Sequence, residues 1–195
     1  MYFESNISKL ANLVITNNIS SFDTSIYNFF TRNMNNTLTS IYKAITFLGS
    51  TPFIVGLVIF FVILFIIIKK KNTAFSVAGV LIISTIVNNL VKIIIRRNRP
   101  LVLALVTEKS FSYPSGHTMA SVSMYYLLIF IILKTKWNKY LKVSLCFVLA
   151  ILPIVIAASR IYLGAHFASD VIAAFITSSI LLLVECYYID KYKLI

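Results

Sequence analysis

Long apolar stretches separated by short polar segments dominate this 195-residue chain from about residue 52 onward. A helix needs roughly 20 mostly apolar residues, with about 17 as the lower limit, to cross the hydrocarbon core of a bilayer. Five stretches meet that requirement: Pro52 to Ile68, Thr73 to Ile95, His117 to Leu133, Leu141 to Ser159 and Asp170 to Ile189. The pattern therefore predicts an all-α, polytopic membrane helical bundle with five transmembrane helices, in which Pro153 is tolerated inside the fourth.

Residues 1–51 differ, because they are rich in Asn, Ser and Thr and contain no apolar run of 17 residues. Apolar side chains recur there at roughly helical spacing: Phe22, Ile26, Phe29, Phe30, Leu38, Ile41, Tyr42, Ile45 and Leu48. This spacing predicts amphipathic helix, either lying on the bilayer or packed on the bundle. We therefore divide the chain into an N-terminal polar and amphipathic interfacial region, 1–51, and a transmembrane core, 52–195.

Composition supports the same class. Hydrophobic residues make up 59% of the chain and charged residues only 12%, with a mean hydropathy of +0.89, which excludes a soluble domain. The net charge of +12 comes largely from loops beside apolar stretches, where basic residues attract anionic lipid head groups. No basic stripe runs along a soluble domain, so we expect membrane lipids and no nucleic acid as partners.

Three short polar segments, each at the end of an apolar run, contain both histidines of the chain: Lys92 to Pro100, Pro114 to His117, and Ser159 to Asp170. The number of spans between them places all three on one membrane face, opposite the lysine-rich loops. Lys and Arg are split nine against nine between the two faces, so loop charge alone does not orient the chain. With Lys92, Arg99 and Arg160 set aside as site residues, the split becomes nine against six and predicts that the segments face outward.

The first segment carries a cluster of cations. Lys92, Arg96 and Arg99 are spaced i, i+4 and i+7, which is one face of a helix, whereas Arg97 points elsewhere. Pro100 disfavours helical geometry just before it, so we expect the helix to end near Arg99. Such cations either snorkel toward head groups or bind an anionic ligand.

The second segment lies where a loop enters a helix. Pro114 and Gly116 shape the turn, Ser115 can cap the helix, and the free N–H groups of its first turn favour an anion. His117 at that point can donate a proton to a bound group. The alternative is an ordinary helix cap beside a histidine that reaches the interface.

In the third segment, His166 and Asp170 are four residues apart. If this stretch is helical, the carboxylate can accept a hydrogen bond from one ring nitrogen and leave the other free as a nucleophile. The alternative is a structural His–Asp pair that braces the start of a helix.

The combined pattern resembles the three-part signature of the type 2 phosphatidic acid phosphatase family. Its fixed positions are all filled: Lys92-x6-Arg99-Pro100, Pro114-Ser115-Gly116-His117 and Ser159-Arg160-x5-His166-x3-Asp170. The resemblance covers about residues 44–189 and implies a hydrolase of lipid phosphate esters or anhydrides in the cell membrane. Typical bacterial integral members have six spans, and the N-terminal one is missing from this pattern.

The resemblance also implies how the phosphate would be held. Lys92, Arg99 and Arg160 would bind its oxygens, assisted by Ser115 and the backbone at Gly116. The family works without a metal ion or other cofactor, and this sequence shows no carboxylate or cysteine cluster with metal-binding spacing.

By the same resemblance, His166 would attack phosphorus and form a phosphohistidine, Asp170 would orient it, and His117 would protonate the leaving oxygen.

Undecaprenyl diphosphate is the leading candidate substrate, followed by phosphatidylglycerophosphate and phosphatidic acid. An inactive lipid-phosphate-binding or flipping protein would need the cations but not the His166–Asp170 pair. A haloperoxidase would hold vanadate in the same pocket, but such enzymes are normally soluble.

Overall fold

A computed structural model describes residue 14 and residues 19–100 and 104–194, and all regular elements within them are helices. They are α1 (Ser20–Thr31), α2 (Asn36–Phe47), α3 (Thr51–Ile67), α4 (Lys71–Ile95), α5 (Gly116–Lys134), α6 (Lys139–Tyr162) and α7 (Ala168–Lys191). The last four are long and apolar enough to cross a membrane, and α2 with α3, bent by 40°, gives up to a fifth span. The predicted all-α polytopic membrane bundle is confirmed.

Helix α5 lies at the centre of the bundle, against α3, α4, α6 and α7. In the most apolar stretch of α5, 56% of the residues are buried, compared with 28% or fewer in the corresponding stretches of α4, α6 and α7. The Ser123 hydroxyl of α5 donates to the Ser84 hydroxyl of α4 at 2.9 Å, and both residues are buried. Small residues and such interhelical hydrogen bonds let membrane helices pack closely where no hydrophobic effect drives them together.

Helices α1 and α2 pack on the bundle, which is one of the two arrangements that the amphipathic pattern allowed. On α1, Ile26 and Phe30 pack against a buried cluster that includes Ala157 of α6 and Val171 of α7. Phe29, on the other face of α1, is 75% exposed. Helix α1 therefore has one face against the transmembrane core and an apolar side chain turned away from it, and α2 packs on α6.

The end of α4 differs from the expected end near Arg99. The helix ends at Ile95, and Arg96 has a φ of 49°, in the left-handed region. A left-handed residue breaks the helical periodicity. Contrary to the prediction, Arg96 therefore does not share a helix face with Lys92 and Arg99. Arg96 is exposed and its Nε donates to the carbonyl of Ile93. The left-handed backbone at Arg96 instead directs the side chain of Arg97 into the protein.

Candidate active site

The three polar segments meet at one end of the bundle, as predicted. The Ser112 hydroxyl, just before the second segment, lies 3.3 Å from His166 Nδ1 in the third. Arg99 Nη1 of the first segment donates to the carbonyl of Ala165 at 2.7 Å. A cavity of about 220 Å³ opens here, and the candidate site residues that line it are Lys92, Arg99, Gly116, His117 and His166. Ser115, Arg160 and Asp170 are buried, each at most 1% exposed.

His166 lies in the loop before α7 and not within a helix, because α7 begins at Ala168. Its Nδ1 is 3.6 Å from Asp170 Oδ2, which is longer than a hydrogen bond. The Ser112 hydroxyl lies between the two groups, 3.3 Å from Nδ1 and donating to Asp170 Oδ2 at 2.5 Å. The expected direct His–Asp hydrogen bond is therefore replaced by a bridge through Ser112.

The other ring nitrogen of His166 faces the cavity, where Nε2 is 3.2 Å from Arg99 Nη1. Burial lowers the pKa of His166 to about 4, although the carboxylate of Asp170 acts in the opposite direction. The ring is consequently neutral at neutral pH. A guanidinium group can only donate, so Nε2 accepts from Arg99 and the ring proton is on Nδ1, toward Ser112 and Asp170. Nε2 therefore carries the lone pair that a nucleophile needs.

Asp170 is fixed from three sides. Its Oδ2 accepts from the Phe167 N–H at 3.0 Å, which closes the first turn of α7, as well as from Ser112. Its Oδ1 accepts from Arg97 Nη1 at 2.6 Å. The Arg97 guanidinium also lies 3.9 Å above the centre of the Phe167 ring. Arg97, which the periodicity argument set aside, thus holds the carboxylate.

The cations of the first segment are oriented by carbonyl groups of the loop before α5. Lys92 Nζ donates to the carbonyl of Phe111, and Arg99 Nε donates to the carbonyl of Ser110 at 2.8 Å. Lys92 is 7% exposed although it belongs to α4. These bonds direct both cations to the wall of the cavity.

Arg160 is 1% exposed, and its guanidinium contacts one neutral hydroxyl and one carboxylate. Its Nη1 donates to Thr46 Oγ1 of α2 at 2.8 Å, and its Nη2 forms an ion pair with Glu108. The Glu108 carboxylate also lies 4.0 Å from Arg99 Nη2 and 3.8 Å from His117 Nδ1. Glu108 therefore contacts two of the predicted phosphate-binding cations and the predicted proton donor.

Burial by itself would raise the pKa of Glu108. The positive charges of Arg160 and Arg99 outweigh that effect and hold the pKa of Glu108 below its ordinary value. Glu108 is therefore ionised at neutral pH, and it places a negative charge among groups that are suited to bind an anion.

Ser115 and Gly116 begin α5, as predicted, but the serine hydroxyl does not cap it. Ser115 Oγ accepts from Thr118 Oγ1 at 3.0 Å and makes no capping bond to the backbone. The Ser115 N–H donates to the carbonyl of Asp170 at 3.2 Å, which joins the second segment to the third. Gly116 and His117 face the cavity.

Sequence reasoning missed the residues that support the predicted site: Asp23, Thr46, Arg97, Glu108 and Ser112. Two of them carried a usable signal. Glu108 is the only acidic residue between Lys92 and Asp170, and Ser112 lies two residues before Pro114. Asp23 and Thr46 lie on the N-terminal helices, and no local pattern connects them with residues more than 70 positions away.

Comparisons with known proteins agree with the fold and the motifs. The model of the PAP2 superfamily matches residues 73–194. Phosphatidylglycerophosphatase B of Bacillus subtilis (strain 168) is 28% identical over 143 residues, which are 71% of this chain and 68% of that protein. The match to the superfamily spans more than half of the chain.

Two solved structures share the fold. The crystal structure of a transmembrane PAP2 type phosphatidylglycerolphosphate phosphatase from Bacillus subtilis superposes with a TM-score of 0.85 at 24% identity, covering 98% of both chains. LpxE of Aquifex aeolicus superposes with a TM-score of 0.67 at 20% identity, covering 85% of this chain and 94% of that one. Together with the superfamily match, the membrane fold shows that this chain belongs to the PAP2 superfamily and is an integral membrane lipid phosphate phosphatase.

Proposed function

We propose that this phosphatase removes phosphate from a lipid through a phosphohistidine formed on His166. The observation that carries the proposal is the orientation of the His166 ring. Nδ1 is turned toward Ser112 and Asp170, while Nε2 faces Arg99 at the cavity. A buried, neutral imidazole held in this way presents one nucleophilic nitrogen to a group bound at the cations.

In the proposed complex, Lys92, Arg99 and Arg160 bind the phosphate oxygens, and the N–H of Gly116 at the start of α5 assists them, whereas the Ser115 N–H stays bound to the carbonyl of Asp170. The Glu108 carboxylate leaves Arg160 when phosphate enters. Phosphoryl transfer spreads negative charge over the equatorial oxygens, so fixed cations and donors stabilise its transition state. The hydrogen bonds that hold Arg99 and Arg160 support this role, because they fix both guanidinium groups before substrate binds.

The reaction then has two steps. His166 Nε2 forms a bond to phosphorus while the bond from phosphorus to the leaving oxygen breaks, and His117 gives that oxygen a proton. In the second step His117 accepts a proton from water, the water oxygen bonds to phosphorus, and the N–P bond breaks. Inorganic phosphate leaves and the electron pair returns to Nε2. Asp170 balances the positive charge of the phosphorylated ring through Ser112.

For the substrate we propose a glycerolipid with a phosphorylated head group, phosphatidylglycerophosphate being the first candidate. The polyprenyl lipid undecaprenyl diphosphate is the second candidate. Ser84, Thr85 and Asn88 of α4 line the cavity on the side of Lys92 that leads into the membrane. Hydroxyl and amide groups there suit a hydroxylated head group better than a polyprenyl chain. The similarity to a protein named phosphatidylglycerophosphatase B supports the same order. This order reverses the one that the sequence alone favoured.

We further propose that the site faces the outside of the cell membrane. The basis is the distribution of Lys and Arg, which becomes nine against six once Lys92, Arg99 and Arg160 are counted as site residues. The lysine-rich ends of the bundle then lie on the inside.

Phosphate release by the purified full-length protein from phosphatidylglycerophosphate, undecaprenyl diphosphate and phosphatidic acid tests the proposal. The assay is run with EDTA and with His166→Ala as the control. We expect metal-independent turnover that the substitution abolishes, fastest with phosphatidylglycerophosphate. Turnover that survives in the variant, or that EDTA removes, contradicts the mechanism. Binding of lipid phosphate without turnover would indicate a binding or flipping protein.

A further inference from the structure

The buried carboxylate of Asp23 belongs to α1, outside the three motif segments. Asp23 is 2% exposed, and three donors satisfy its oxygens. Oδ1 accepts from the Ser169 N–H at 2.8 Å, and Oδ2 accepts from the Ser169 hydroxyl at 2.8 Å and from Arg97 Nη2 at 2.7 Å. A carboxylate that is taken out of water needs such partners, so this contact fixes α1 against the start of α7.

Arg97 extends the contact to the candidate catalytic centre. Its Nη2 binds Asp23 and its Nη1 binds Asp170 Oδ1 at 2.6 Å, so one planar guanidinium joins two carboxylates. The second oxygen of Asp170 faces Ser112 and His166. A continuous series of hydrogen-bonded polar groups, all buried except the partly exposed Arg97, therefore runs from Asp23 to the ring of His166.

The charges along this chain give Asp23 a specific effect. With two carboxylates and one guanidinium, the Asp23–Arg97–Asp170 group carries a net charge of about −1. Without the Asp23 charge, Arg97 would neutralise Asp170 alone, and the group beside His166 would carry no net charge. At short range and in a buried site such a change acts strongly on a developing positive charge. Asp23 consequently takes up part of the positive charge of Arg97, so that a net negative charge remains at Asp170 beside His166.

We propose that Asp23 is a positioning residue of the active site: through Arg97 it fixes Asp170 and preserves the negative charge that stabilises the phosphorylated ring of His166. This inference rests on the function proposed above. It gives α1 a role in catalysis, because the same helix that packs on α6 and α7 supplies the carboxylate.

The alternative is a purely structural role, in which Asp23 only anchors α1 to α7. Asp23→Asn separates the two roles. Asparagine keeps the size of the side chain and an oxygen that can accept from Ser169, but it removes the charge and weakens the link to Arg97. The matched control is Asp190→Asn, which removes an acidic partner of Lys134 at the other end of the bundle.

The kinetics of lipid phosphate hydrolysis by the full-length protein provide the readout. We expect kcat of Asp23→Asn to fall by about 10- to 100-fold, the range seen when a partner that orients a metal-bound histidine is lost. KM should stay within about twofold, since the phosphate-binding cations are untouched. Asp190→Asn should leave both parameters unchanged. A kcat equal to that of the control overturns the inference, and so does a loss that appears only in KM or thermal stability.

A double-mutant cycle with Arg97→Gln tests whether Asp23 acts through the arginine. If it does, the double variant loses no more kcat than Arg97→Gln alone, because the link is already broken. Losses that multiply contradict the proposed route.

Should Asp23→Asn fail to fold, Arg97→Lys replaces it, because an ammonium group keeps the charge but cannot bridge both carboxylates through a planar fork. A wild-type kcat in Arg97→Lys then overturns the inference.

His166→Ala separates this failure from failure of the proposed function. If the wild-type protein is inactive on every lipid phosphate, or His166→Ala remains active, the proposed function fails. If the wild-type is active, His166→Ala is inactive and Asp23→Asn behaves like Asp190→Asn, only the role of Asp23 fails.

Discussion

Glu108 and Arg160 form an ion pair beside the cavity of the active site, where the arginine is expected to bind phosphate. The same carboxylate lies within about 4 Å of Arg99 and His117. A phosphate group needs these three partners, so the Glu108 carboxylate and the substrate compete for them. Glu108 also repels an incoming anion.

We therefore expect Glu108→Gln to bind anions more tightly. The inhibition constant for inorganic phosphate or orthovanadate should fall by about tenfold, because the substitution removes a full negative charge close to the cations. Competition assays with the lipid substrate measure this constant. Asp190→Asn, which removes a carboxylate far from the cavity, should leave it unchanged. A weaker inhibitor in Glu108→Gln would mean that Glu108 mainly holds Arg160 in place.

The buried ring of His166 should titrate well below an ordinary histidine, because burial lowers its pKa to about 4. The chain has only two histidines, so ¹⁵N-labelled His117→Asn shows the His166 ring alone. We expect a neutral ring with the proton on Nδ1 from pH 8 down to about pH 5. Because the unfolded ring binds a proton near pH 6.5, this group makes folding less favourable as pH falls from 6.5 to 4. Protonation near pH 6.5 in the folded protein would contradict the assignment.

The Ser112 hydroxyl connects His166 with Asp170, so Ser112→Ala should break the bridge. A hydrogen bond of this kind contributes about 1 kcal/mol, or more with a charged partner, so we expect kcat to fall by roughly 5- to 20-fold. Steady-state kinetics measure the effect. The control is Ser178→Ala, a buried serine of α7 that bonds to the carbonyl of Ala174. Equal kcat values for the two variants would show that the bridge has no catalytic role.

Thr46 accepts a hydrogen bond from Arg160 and should help to fix its guanidinium. In Thr46→Val the side chain keeps its shape but loses the acceptor, so we expect KM for the lipid substrate to rise about fivefold. Thr39→Val is the matched control, because Thr39 lies on the same helix and bonds to the Tyr162 hydroxyl instead. A KM that rises equally in both variants would indicate a general effect of α2 on substrate binding.

Much of the fold followed from the sequence because the membrane imposes simple rules. Spans must be apolar and long, and the polar segments stand out against them. Continuity of α6 through Pro153 was expected for the same reason, since a packed bundle tolerates the proline. The packing of α1 and α2 was not decided, because an amphipathic face suits both a bilayer surface and a protein surface.

The sequence predicted the site residues that lie in the motifs. It did not predict the residues whose positions depend on tertiary contacts. Extrapolating the α4 periodicity failed at Arg96, whose left-handed backbone turns the chain so that Arg97, not Arg96, enters the site. The spacing of His166 and Asp170 suggested one helix turn, but α7 begins between them. Asp23 and Thr46 depend on contacts between distant parts of the chain, which no local pattern encodes.

Rapid quench of the wild-type enzyme with a ³²P-labelled lipid phosphate tests the central claim most directly. The reaction is stopped in alkali, which preserves phosphohistidine, and the labelled peptide is identified by mass spectrometry. The account predicts an acid-labile phosphoryl group on His166 that forms and decays at rates compatible with turnover, and that is absent in His166→Ala. Full turnover with no label on His166 at any time would contradict it.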